Sequence, residues 1–158
     1  MIAGTGNAVA AAPVNQILEV VLVKDGQTID AGRTVMKDQF GTVTPFVMTS
    51  GTEIGFGTRS KDGNTRQMSS NSKFVGRSIV VKPVAEESGK FRLSITATDT
   101  VSTGVDTVGP TDCPSQVVKT SGLEVKDVSA TIADDETVDV PLGNPHYQLR
   151  LTLKAASE

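Results

Sequence analysis

From Gln16 onward the apolar residues of this chain come in short runs with a spacing nearer two than 3.6, separated by clusters of Gly, Pro, Asp, Asn and Ser. That period belongs to strands, whose side chains alternate between two faces. Leu18, Val20 and Leu22 alternate with Ile17, Val21 and Val23, so both faces of this segment are apolar and a central strand covered on both sides is predicted. Lys24-Asp25-Gly26-Gln27 carries an Asp-Gly pair suited to a type I′ hairpin turn, and a strand over Thr28 to Met36 should fold back on the first. Thr42 to Met48 and Glu53 to Thr58 follow. Pro45 lacks an N–H for a ladder and places its strand at an edge or a bulge.

Val75 to Pro83 and Phe91 to Thr98 read as a further hairpin turning through Glu86 to Lys90. In its second arm Phe91, Leu93, Ile95 and Ala97 alternate with Arg92, Ser94, Thr96 and Thr98, the mark of a strand with one wet face. Gln116 to Lys119, Leu123 to Ile132, Thr137 to Leu142 and Tyr147 to Lys154 complete the set, with Tyr147, Leu149, Leu151 and Leu153 turned inward. Ser60 to Lys73, whose only apolar side chain of note is Met68, and the Ser/Thr/Gly/Pro stretch Asp99 to Ser115 are predicted as two long loops. About eight to ten short strands without a helical period indicate an all-β fold: an antiparallel β-sandwich, Ig-like or Greek-key, with a partly closed barrel as the alternative. At 158 residues one such domain over 16–158 is the expectation, with a disordered tail over 1–15.

Composition narrows the chemistry. With an aromatic fraction of 4%, no Trp and one Tyr, the core must be filled by Val, Ile and Leu, and stacking on sugars or bases is poorly served. A net charge of -3 gives no overall attraction for nucleic acid, which is not expected as a partner. No apolar run is long enough to cross a bilayer as a helix. Cys113 stands alone, without a paired metal signature or an internal disulfide partner, so no cofactor or metal is expected.

Each candidate for catalysis has a plainer reading beside it. His146, the single His, follows Pro145 at a strand start, where a solvent-exposed turn residue is the ordinary outcome. Ser70-Asn71-Ser72-Lys73 matches S-x-x-K, whose chemistry needs Ser and Lys one helical turn apart, and no helix is predicted there. Asp134, Asp135, Glu136 and Asp139 invite a calcium reading, yet no EF-hand spacing is present and a solvated turn accounts for them. Gly55-Phe56-Gly57 lacks the following helix of a dinucleotide site. The chain is therefore read as not an enzyme. Arg59, Lys61, Arg66, Lys73 and Arg77 form a basic stretch, opposed by the acidic stretch Glu124 to Asp139, and this cluster is the candidate binding surface for an anionic partner.

Asn7-Ala8-Val9-Ala10-Ala11-Ala12-Pro13 has the small-residue character of a signal-peptidase site and is read as the remnant of a trimmed signal peptide. The run Gly76-Arg77-Ser78-Ile79-Val80-Val81-Lys82-Pro83, followed by Glu87-Ser88-Gly89-Lys90-Phe91-Arg92-Leu93-Ser94-Ile95, resembles the hairpin of bacterial secretins. The chain as a whole resembles small exported β-sandwich proteins of Gram-negative bacteria, some of them surface or serum antigens. That resemblance implies a periplasmic or cell-surface location and no chemistry. The function expected is a non-catalytic envelope protein that associates or assembles with another envelope protein; the alternative is a ligand-binding module for a glycan or small molecule.

Overall fold

The computed structural model describes residues 14–63 and 65–156. The expected tail and signal-peptide remnant lie outside the described residues up to position 13, and the first strand begins at Asn15. Eight strands follow in order: β1 Asn15–Lys24, β2 Gln27–Lys37, β3 Phe46–Asp62, β4 Thr65–Glu87, β5 Lys90–Val108, β6 Ser115–Ala133, β7 Glu136–Pro141 and β8 Tyr147–Ala156. No helix occurs among the described residues. The strands form two four-stranded antiparallel sheets, β2-β1-β8-β7 and β3-β4-β5-β6, in a β-sandwich rather than a closed barrel.

The chain divides into two compact units that share strands. Unit 1 holds the first sheet together with Lys82–Ser94 and Ser129 onward. Its core is the inward set of each strand: Leu18, Val20 and Leu22 from β1, Met36 from β2, Phe91 and Leu93 from β5, Ile132 from β6, Val140 from β7, and Tyr147, Leu149, Leu151 and Leu153 from β8. β1 is central, pairing with β2 on one side and over its whole length with β8 on the other. Only one face of β1 is buried, however. Ile17, Val21 and Val23 are half-buried beside Glu19, so this central strand has one covered face where two were expected. Tight turns join the short hairpins as the sequence suggests: Asp25 and Gly26 have φ of 50° and 80°, and Ser88 and Gly89 have 52° and 77°.

Unit 2 comprises Val47–Val81 and Ile95–Val128, the long portions of β3 to β6. Here the structure corrects both predicted loops. Ser60 to Gly63 and Thr65 to Lys73 belong to the β3/β4 hairpin, which turns at Gly63, and Asp99 to Ser115 is mostly β5, which runs on to Val108 before a short turn. These segments escaped a period-two reading because Thr65 to Ser72 is exposed throughout, so no apolar alternation marks either face. The buried side chains of unit 2 are Ile79, Val81, Ile95, Ala97, Thr100, Cys113, Val118 and Leu123. Beyond them the sheet carries Val47, Met68, Val101, Val105, Val108 and Val117 exposed to solvent.

Candidate functional site: the edges and tip of the long sheet

β3 and β6 are the outer strands of the four-stranded meander, and among the described residues each has one side without a partner strand. Their pairing capacity is long, since β3 spans 17 residues and β6 spans 19. A strand of this length with free N–H and C=O groups is a template for another strand. One close approach between β3 and β4 shapes the sheet. At Gly51 and Gly76 the backbones of β3 and β4 come so near that a Cβ on Gly76 would lie 2.5 Å from Gly51 Cα and 2.5 Å from Ser50 O. Gly76 also has φ +138°, which L side chains rarely adopt. Thr100, buried, accepts a hydrogen bond from the Gly76 N–H through Oγ1 at 3.4 Å, and Arg77 Nε donates to Asp99 at 3.2 Å in the same region.

At the far end of β3 the two free edges are bridged. The Arg59 N–H donates to Ser115 Oγ at 2.8 Å, and the Ser115 hydroxyl donates to Arg59 O at 3.0 Å. Beside them Lys61 Nζ meets Asp112 Oδ2 at 2.6 Å. A turn closed by the Cys113 N–H on Pro110 O presents Asp112 and Ser115 to β3 and buries the Cys113 thiol. The result is an open hollow of about 310 Å³ lined by Arg59, Arg66, Gln67, Met68, Asp112 and Cys113.

The structure separates the candidate basic cluster. Arg59, Lys61 and Arg66 gather at the tip, with Arg59 and Arg66 on the hollow. Lys73 and Arg77 lie further along β4, Lys73 Nζ 3.8 Å from Glu124 and Arg77 paired with Asp99. Three of the five cations thus face carboxylates contributed by β5, β6 and the turn between them, residues remote in sequence.

His146 is exposed and its Nδ1 lies 2.7 Å from Asp25 Oδ1, while its carbonyl accepts the Asp25 N–H. It sits in unit 1 as a link between the β1/β2 turn and the start of β8. Ser70 and Lys73 are in a strand, where a spacing of three puts side chains on opposite faces. The acidic residues are used one by one: Asp134 accepts from Gln16, Glu136 accepts the Ala133 N–H, and Asp139 pairs with Arg150. The hydrogen bond and charge of Asp139 raise the Arg150 pKa above its ordinary value. Among the described residues no group of three His, Cys, Asp or Glu side chains is placed to hold a metal ion. Among the described residues no helix is long and apolar enough to cross a membrane.

Sequence reasoning allowed for association through exposed sheet edges or the polar loops, but did not locate the long edges of β3 and β6, because it read Ser60 to Lys73 as loop. The signal was present in Asp62-Gly63, an Asp-Gly turn pair in the middle of the supposed first loop. Comparison with known proteins found no matching family model, no matching curated protein and no matching solved structure.

Proposed function

We propose that the chain is a non-catalytic, exported assembly protein that associates through the free edges of its long sheet, with copies of itself as the partner. The carrying observation is the combination, in unit 2, of two long edge strands, each with one side that no strand of the described residues pairs, with exposed Val47, Met68, Val101, Val105, Val108 and Val117. Exposed apolar side chains on a sheet with open edges favour strand addition, in which backbone hydrogen bonds give affinity and side-chain signatures are few. Topology supports self-association: in a four-stranded antiparallel meander the first and last strands run in opposite directions. Copies set side by side with the same orientation therefore bring β6 of one against β3 of the next as an antiparallel pair, which needs no reversal of either copy. The export expected from Asn7 to Pro13 and the resemblance to exported β-sandwich proteins supply the proposed compartment, the bacterial envelope.

The test is light scattering over a concentration series. Within a regular antiparallel strand a residue turns its N–H and C=O to the same side, so counting in twos from Arg59, whose groups face outward, brings Glu53 to the free side of β3. Glu53→Pro removes an outward N–H and should abolish concentration-dependent association while leaving the strand-dominated circular dichroism spectrum unchanged. A wild-type chain that stays monomeric at every concentration, in buffer and in envelope extract, would refute the proposal.

A further inference from the structure

We infer that Ser115 is a latch that occupies the β3 edge in the single chain and must let go before that edge can take another strand; this rests on the edge-assembly reading above. In an antiparallel sheet a residue on the free side of an edge strand offers one N–H and one C=O, and a neighbouring strand satisfies both through one facing residue. At Arg59 both bonds are made instead by a single hydroxyl, Ser115 Oγ, which accepts from the N–H at 2.8 Å and donates to the carbonyl at 3.0 Å. The side chain stands where the backbone of an added strand would lie. Ser115 is the first residue of β6, so the group that closes one free edge comes from the strand that forms the other. The Lys61–Asp112 ion pair, two residues along β3, fastens the same two segments, and the buried Cys113 between Asp112 and Ser115 holds the turn in place. With the latch closed neither the Arg59 groups of β3 nor the first residue of β6 is available to a second copy. With it open both edges are.

The full chain tests this with two readouts, exchange of the Arg59 amide proton by nuclear magnetic resonance and the rate of association by light scattering. Ser115→Ala deletes both bonds and leaves the backbone intact. Losing two such bonds should speed Arg59 exchange by about tenfold or more and speed association by a similar factor. Ser115→Thr, which keeps the hydroxyl, should behave as wild type on both. Unchanged Arg59 exchange in Ser115→Ala would overturn the latch outright. Faster exchange with an unchanged association rate would overturn its control of assembly. If wild type and Ser115→Ala both remain monomeric while Arg59 exchange accelerates, the edge-assembly proposal fails and takes the gating role with it, leaving only a structural clasp.

Discussion

Replacing Gly76 by Ala should unfold the long sheet selectively, and the size of the effect follows from two facts about one position. The new methyl would sit 2.5 Å from both Gly51 Cα and Ser50 O, backbone atoms of β3 that have no rotamer to swing aside. Real Cβ contacts essentially never fall below 3.0 Å, so the strands must part by at least half an ångström at their closest approach. Overpacking of that kind costs about 1–3 kcal/mol. The φ of +138° adds backbone strain of about 1–3 kcal/mol for a non-glycine residue. Together they predict a loss of about 2–6 kcal/mol, a large part of the stability of an ordinary domain. The control is Gly57→Ala in the same sheet, where a Cβ meets nothing within 4 Å and φ is unstrained. There the lower entropy of the unfolded chain should leave stability unchanged or raise it by up to about 1 kcal/mol. Urea titration should be followed by two probes. Fluorescence of Tyr147, the single Tyr, reports unit 1, and amide exchange in β3 to β6 reports unit 2. A loss below about 1 kcal/mol for Gly76→Ala in the unit 2 amides would refute the close-packing argument, as would equal losses for the two variants.

Leu151→Ala, at a fully buried site on β8, should cost about 2–5 kcal/mol and shift the Tyr147 transition in urea. Amides of Thr65 to Lys73 should be protected in hydrogen exchange, as a segment of a strand that lies between β3 and β5 requires; uniform fast exchange there would restore the loop that the sequence suggests. His146→Ala should lower the thermal midpoint only slightly, because both His146 and Asp25 are more than half exposed and the Asp25 N–H to His146 O bond survives the change. A pronounced loss of stability would show that the side-chain pair organises the turn.

What could be read from the sequence follows burial. β5 from Phe91 to Ala97 and β8 from Tyr147 to Leu153 bury alternate side chains, and the alternation in the sequence is the trace of that burial. The same strand β5 becomes illegible past Thr100, where every residue to Val108 is exposed and nothing selects apolar from polar positions. Ladder hydrogen bonds hold such a segment whatever its side chains, so Thr65 to Ser72 forms strand while reading as loop. The basic cluster was legible as a run of cations, but its partners Asp99, Asp112 and Glu124 come from β5, the β5/β6 turn and β6, and no local pattern foretells a pairing across the sheet. The Ser115 bridge has no sequence signature at all, since one serine among many acquires its role only through the curl that brings β6 to Arg59.

The pairing of β1 with β8 sets the order in which the chain can mature. Asn15 faces Ala156 and Lys24 faces Tyr147, so one side of the second-from-edge strand of the first sheet waits for residues synthesised more than a hundred positions later. All of unit 2, by contrast, lies between Val47 and Val128 and has its full complement of strands well before then. A nascent chain therefore holds a complete long meander and a half-built first sheet, and the slow step is the late arrival of β8 across a loop of more than a hundred residues. Truncation just before Tyr147 would arrest the molecule in that state.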